Sequence, residues 1–277
     1  MTRSRRPKSL VATLAATIAL LSVMVMPASA ITKGGYVDTA GEFAHVGLMV
    51  AFVEVEGQDV PAWRCTGTLV SPTLFVTAGH CTSGASHVEI WFNWDVRPAA
   101  APTYPFVGDV SGDAYTHPQY TDGAFFLYDL GAVVLHQAYN IGSYASLPTQ
   151  GQLDALKPGK RSMFTTVGYG LQRSFPRGTP ADDMLTQAER IRMVASPHLL
   201  QINNANVGDF AMLVSNNSAT GGTCFGDSGG PSFIGNTLVA VTSFGLTYTC
   251  AGVGGVYRID QPDDLGWLTS TFAAHLP

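Results

Sequence analysis

Basic residues are scarce in this chain. Its 277 residues include 15 Lys+Arg against 20 Asp+Glu, a formal charge of −5, and no block of like charges. A nucleic-acid partner needs a basic face, and this composition does not supply one. Cysteine is nearly as sparse: Cys65, Cys81, Cys224 and Cys250 are the full complement, and no two of them form a Cys-x-x-Cys pair. That removes the usual spacing of a structural zinc site, and no metal is expected. The chain also lacks internal repeats, low-complexity tracts and sustained helical periodicity. No motif calls for a cofactor.

The first 30 residues stand apart from the rest of the chain. Arg3, Arg5, Arg6 and Lys8 precede an apolar run over 10–26, and Pro27, Ala28, Ser29 and Ala30 close it with the small residues of a cleavage site. This reads as a signal peptide rather than a retained membrane anchor, because the run is short for a span. The general secretory route is favoured; Arg5 and Arg6 suggest a twin-arginine signal, but Lys8 stands where that motif has an apolar residue. Without residues 1–30 the chain loses four basic residues and no acidic ones, so the exported form carries a charge of about −9. Such a protein is expected outside the cell, soluble and free of the membrane. In an oxidising compartment four cysteines imply two disulfides, and sequence alone permits three pairings.

The mature chain reads as mostly β. Apolar and β-branched runs at 46–55, 68–76, 87–94, 130–136, 162–167, 191–194, 210–214, 237–244 and 254–259 alternate with turns, and the chain has 30 glycines and 16 prolines. That pattern indicates an antiparallel sandwich or barrel. One helix is expected at the C-terminus, in QPDDLGWLTSTFAAHL, with Pro262, Asp263 and Asp264 at its start and Leu265, Leu268, Phe272 and Leu276 at near-helical spacing. The polar stretch 147–161 is equally readable as a link between two β units or as a surface loop.

The segment GTCFGDSGGPSF, 222–233, cannot run as a helix through Gly229, Gly230 and Pro231. It reads as a tight, preorganised loop that carries a hydroxyl, Ser228, beside an acid, Asp227. A serine needs a base to take its proton and a third group to orient that base. Of seven histidines, only His80 has an unusual setting, LFVTAGHC, where an apolar strand ends in a small-residue turn beside Cys81. Asp129 lies in the otherwise apolar FFLYDLGAVVL. A buried acid there needs a partner, and neutral His80 is a suitable one.

With these residues the chain resembles the chymotrypsin-like, or trypsin-like, serine proteases. TAGHC at 77–81, DLGAVVL at 129–135 and GDSGGP at 226–231 occur in that family's order and at similar separations, and THPQY (116–120), GYG (168–170), SFG (243–245) and GVY (255–257) keep the register. The resemblance implies an all-β fold of two six-stranded antiparallel barrels with a C-terminal helix. The N-terminal barrel would span about 31–146 and the C-terminal one about 147–277. It implies peptide-bond hydrolysis through an acyl-enzyme, with His80, Asp129 and Ser228 as catalytic triad and the N–H groups of Gly226 and Ser228 as oxyanion hole. It pairs Cys65 with Cys81 and Cys224 with Cys250. It also makes Asp227 the partner of a free amine at Ile31, exposed by cleavage after Ala30; this start, ITKGG, directly follows the cleavage-site residues and differs from the IVGG-like start of most members.

Gly222, Ser243, Phe244, Gly245 and Gly255 fall at the specificity pocket in this resemblance. With glycine at 222, where trypsin-type enzymes carry an aspartate, no Lys/Arg preference is expected. Glycines at 245 and 255 leave room for a bulky apolar group such as Phe, Tyr, Leu or Met. Thr242 replaces the histidine of acid-specific relatives. Protein or peptide substrates and a monomeric state are expected. Asp109 and Asp113 read as a polar turn rather than a calcium loop. The alternative reading is a catalytically silent or latent homologue that acts as an extracellular binding protein.

Overall fold

The computed structural model describes residues 34–97, 107–172, 189–247 and 249–277. The expected signal peptide and Ile31 lie outside these. After a short strand β1 (Tyr36–Val37), six strands close into a barrel: β2 (Val46–Val55), β3 (Gln58–Leu69), β4 (Leu74–Thr77), β5 (His87–Trp91), β6 (Val110–Thr116) and β7 (Gly131–Leu135). Their order around the barrel is β2-β3-β4-β7-β6-β5. A single helical turn, α1 (Gly79–Thr82), interrupts the meander between β4 and β5.

The remaining strands are β8 (Gly159–Met163), β9 (Thr165–Gly168), β10 (Met193–Ala195), β11 (His198–Asn204), β12 (Gly208–Asn216), β13 (Pro231–Ile234), β14 (Thr237–Gly245) and β15 (Gly252–Arg258). Together with β1 they form a nine-stranded antiparallel sheet in the order β1-β10-β9-β13-β14-β15-β12-β11-β8. The mostly-β, two-unit architecture is as the resemblance implies. The second unit is a curled half-barrel sheet that takes in the N-terminal β1, so that among the described residues it counts nine strands, with β1 and β8 at its edges, where six were expected. Helix α2 (Pro262–Thr271) follows, with a 3₁₀ turn at Ala273–His275. Pro at its first positions and Asp263 and Asp264 in its first turn match the start read from sequence. Among the described residues no helix is long and apolar enough to cross a membrane.

Alternation of side chains explains the first core. In β2, Leu48 and Met49 are both sealed, because one face fills the barrel and the other is covered by neighbouring elements. A second core of Leu153, Phe164, Leu199, Met212, Val214, Val239 and Val256 fills the curl of the nine-stranded sheet.

A buried cation joins the two units. Arg192, at the entrance to β10, donates from Nε to Asp38 (2.8 Å) and from Nη1 to the carbonyls of Phe92 (2.8 Å) and Val46 (3.1 Å) and to the Tyr169 hydroxyl (3.1 Å). The Asp38 carboxylate also accepts the N–H groups of Glu42 and Phe43. Removing one member of such a pair leaves the other buried and uncompensated. Arg192→Met is therefore expected to cost about 3–5 kcal/mol of stability, read as a lower urea midpoint at an unchanged slope. Asp38→Asn in the same chain should recover much of the loss.

Candidate functional site

Strand β4 delivers Thr77 to the edge of the first barrel, and α1 then turns His80 back over it. The Cys65–Cys81 disulfide, with its Cα atoms 6.1 Å apart, ties this turn to β3. Asp129 enters from the segment just before β7, where Tyr128 adopts a left-handed φ of 52°. The carboxylate is sealed from solvent and takes three donors. His80 gives its backbone N–H to Oδ1 (2.8 Å) and its ring Nδ1 to Oδ2 (2.9 Å), while Ser243 gives its hydroxyl to Oδ2 (2.5 Å). The pair is asymmetric: Asp129 is 0% exposed and the His80 side chain 25%. A fully hydrogen-bonded, buried carboxylate holds the ring in one orientation and turns Nε2 to the wet side. That nitrogen has no partner among the described residues.

Ser228 sits in the 217–230 loop between β12 and β13, where the side chain keeps some solvent contact and takes no hydrogen bond among the described residues. Its backbone is stitched to the first barrel through Thr66 of β3. The Thr66 N–H donates to the Ser228 carbonyl (2.8 Å) and the Thr66 hydroxyl to the Gly226 carbonyl (3.0 Å). In turn the Thr77 hydroxyl, three residues before His80, donates to the Thr66 carbonyl (2.8 Å). Gly229 has φ +74°, and a Cβ there would run into the Thr77 hydroxyl and lie 2.7 Å from the Ala78 nitrogen. Only glycine lets the serine loop come this close to the histidine turn.

The turn itself is fixed bond by bond. The Phe225 carbonyl accepts from Leu171 (2.8 Å), and Gly226 follows at φ +93°. Because a trans peptide points its C=O and N–H in opposite directions, the Gly226 N–H faces away from Leu171. Neither that N–H nor the one of Ser228 has a backbone acceptor among the described residues. Two free donors on one turn are what an oxyanion requires. Asp227, between them, is fully buried, and burial pushes its carboxyl up to about 7 against the opposing pull of N–H bonds from Cys224 (2.8 Å) and Gly170 (2.7 Å) and the charge of Arg64.

Beside Ser228 opens a pocket of about 370 Å³, lined by Phe125, Phe225, Phe244 and Leu246 with Thr223, Thr242, Ser243 and Thr247 and backed by the Cys224–Cys250 disulfide. No charged residue is among its described lining. Of the five residues expected here, Ser243, Phe244 and Gly245 line it. Gly222 and Gly255 do not. The space that a side chain at 222 would fill is held by the buried Asn216, whose amide donates to the Thr223 carbonyl (2.7 Å). At 255 it is held by the ring of Phe244. The register shift between Thr242 and Phe244 against β15 accounts for the second difference, since a bulge re-aims the side chains that follow it. The ring of Phe244 thus takes the space that Gly255 leaves, and of the residues around Gly222 it is Thr223 that lines the pocket.

The sequence reading missed Thr66, Thr77, Phe125, Asn216 and Thr223. Only Thr66 had a local signal, its place next to Cys65. Among the described residues, one group of potential metal ligands comes together, Cys65, His80 and Cys81. It has no metal-binding character, because both sulfurs are in the disulfide and the ring is held by Asp129.

Comparison with known proteins agrees with this architecture. The family model described as Trypsin matches residues 34–261. Brachyurin of Leptuca pugilator is 28% identical over 193 residues, covering 67% of this chain and 77% of its own, and a trypsin of Saccharopolyspora erythraea is 27% identical over 223 residues, covering 78% and 90%. Among solved structures, HL collagenase superposes with a TM-score of 0.64 at 18% identity, over 87% of this chain and 98% of its own. Human heparin binding protein gives 0.62 at 18%, over 84% and 94%. At that identity the two structures speak for the fold.

Proposed function

Since the chain belongs to the trypsin family of serine proteases, we propose that it is a secreted serine endopeptidase that works through Ser228, His80 and Asp129. The observation that carries this reading is the sealed Asp129 carboxylate on His80 Nδ1, with the Ser228 loop stitched through Thr66 to the same barrel edge. His80 Nε2 takes the Ser228 proton as the hydroxyl attacks the peptide carbonyl. The N–H groups of Gly226 and Ser228 hold the oxyanion, each donor contributing about 3–4 kcal/mol. His80 then passes the proton to the leaving amine, and water repeats the sequence on the acyl-enzyme.

The pocket favours a bulky apolar residue before the scissile bond. Aromatic rings and a disulfide make up much of its wall, and an ammonium or guanidinium would be buried there without a counter-charge. The ring of Phe244 beside Gly255 biases the choice toward flat or slender groups. The two catalytic halves are units of about 31–146 and 147–277, with β1 of the first stretch lending its strand to the sheet of the second. The protein acts as an extracellular monomer on protein substrates.

Activation follows from the burial of Asp227. Gly34, at φ +100°, packs against Ser218 and Gly221, at the start of the loop that carries Ser228. Cleavage after Ala30 would put a free amine at Ile31, three residues before Gly34, as a partner for the Asp227 carboxylate. A cation there would offset the cost of burying the carboxylate.

Fluorophosphonate treatment of the secreted protein tests the reading. One adduct per chain, mapped by mass spectrometry to the peptide that contains Ser228 in a chain beginning at Ile31, is the expected result. An unlabelled protein with that same terminus would overturn the peptidase assignment.

A further inference from the structure

Asp264 is a buried acid that the catalytic steps do not use. It lies in the first turn of α2, 1% exposed, and Tyr257 of β15, equally sealed, brings its hydroxyl to both carboxyl oxygens, 3.0 Å from Oδ1 and 2.9 Å from Oδ2. A phenol has one proton to give, so as a donor it bonds only one of them. The second contact closes when the carboxyl carries a proton and gives it to the phenol oxygen, and the two groups then pair as neutral partners. Burial pushes Asp264 up to about 8 against the pull of the Tyr257 hydrogen bond, and the charges of Asp263 and Asp260 act in the same sense as burial. His117, whose Nε2 is 3.9 Å from Asp264 Oδ1, is itself lowered by burial and so brings no positive charge to the acid at neutral pH.

The pair reaches the segment that carries Asp129. The phenol oxygen of Tyr257 also takes a main-chain hydrogen bond from Tyr128. Tyr128 directly precedes Asp129, and its φ of 52° is a conformation that costs a non-glycine residue free energy and persists where the surroundings hold it. Its ring stacks on His117 with centroids 5.1 Å apart, and Trp267 of α2 meets the same imidazole edge-on at 5.1 Å. The Leu130 N–H returns to the Tyr128 carbonyl (2.7 Å), which puts Asp129 at the apex of a three-residue turn. The set of that turn decides where the carboxylate meets His80 Nδ1.

We infer that Tyr257 and Asp264 are positioning residues for Asp129: a neutral acid–phenol pair between α2 and β15 holds Tyr128 in its left-handed conformation and so aims the carboxylate at His80. The inference rests on the peptidase reading. It gives the C-terminal helix a part in turnover through residues that are absent from the described lining of the pocket.

The test reads kcat and KM on a Phe p-nitroanilide. Tyr257→Phe keeps the ring and removes the hydroxyl, and should lower kcat by roughly tenfold with KM within about twofold of native. Asp264→Ala should do the same. Asp264→Asn should stay within about twofold of native, because an amide donates to the phenol oxygen and accepts its proton as the neutral acid does. A cycle with Asp129→Asn separates positioning from general loosening. If Tyr257 acts through Asp129, adding Tyr257→Phe to Asp129→Asn should change single-turnover acylation by less than about twofold, whereas a loosened fold loses the same factor in both backgrounds. Circular dichroism checks that the compared variants are folded, and should Tyr257→Phe not fold, Asp264→Ala takes its place in the cycle. A native-like kcat for Tyr257→Phe, an equal loss in both backgrounds, or an Asp264→Asn that falls as far as Asp264→Ala overturns this inference alone. No hydrolysis by the native protein overturns it together with the peptidase reading.

Discussion

Ser228→Ala is expected to lower kcat/KM by roughly 10⁵- to 10⁶-fold while leaving the melting temperature within a few degrees of the native value. The structure separates the two effects. The Ser228 hydroxyl holds no hydrogen bond among the described residues, whereas its carbonyl takes the Thr66 N–H. Alanine keeps the main-chain bond and the small volume, so the loop has no reason to move. What is lost is the nucleophile. A residual rate above that of water should persist, because the Gly226 and residue-228 N–H groups and the pocket remain. A steady-state assay with active-site titration of the native protein reads the loss, and calorimetry reads the fold. A fall of less than a hundredfold would mean that Ser228 is not the nucleophile.

Asp129→Asn should lower kcat by roughly 10⁴-fold with a small change in KM. The carboxylate accepts from three donors, and an amide can accept on one atom only. Its oxygen in place of Oδ1 still serves the His80 N–H. Its NH₂ in place of Oδ2 then faces His80 Nδ1 and the Ser243 hydroxyl. The hydroxyl can rotate to accept. The ring can accept only by placing its proton on Nε2, and that is the tautomer unable to take the serine proton. Single-turnover acylation measures the effect directly. A loss under tenfold would leave Asp129 a structural role and move the choice of base elsewhere.

The three residues of the proposed chemistry stood out in the sequence because each sits in an improbable setting. An acid in FFLYDLGAVVL, a histidine after a strand and a serine among glycines all carry a local cost that the proposed function would explain. The residues that arrange them did not stand out. Thr66 looks like one more threonine in a strand until the serine loop, about 160 positions later, arrives on it. Asn216 and Phe244 illustrate the limit of motif alignment. The glycines at 222 and 255 align with the family's pocket, but what fills the space beside them is decided by a buried amide and a bulge. Strand reading failed in a similar way. The run 46–55 matches β2 in full, yet most of β3 was passed over because its first half, QDVPAWR, is polar and contains Pro61. The 68–76 run merged the end of β3 with β4 across a tight turn. The expected strand at 162–167 likewise straddles β8 and β9. Apolar content marks what is buried, and the breaks between strands are set by turn geometry.

The Thr66 stitch has a consequence for how this molecule fails. The proposed base and acid ride on one body, the proposed nucleophile and oxyanion donors on another, and Thr66 helps to set the distance between them, together with the Ser243 hydroxyl on Asp129 and the buried Arg192. The seam works as an alignment gauge. A partner that wedges it, or a lesion that slackens it, silences turnover while both bodies stay folded, so proteolytic output is a more sensitive monitor of their registration than any melting curve.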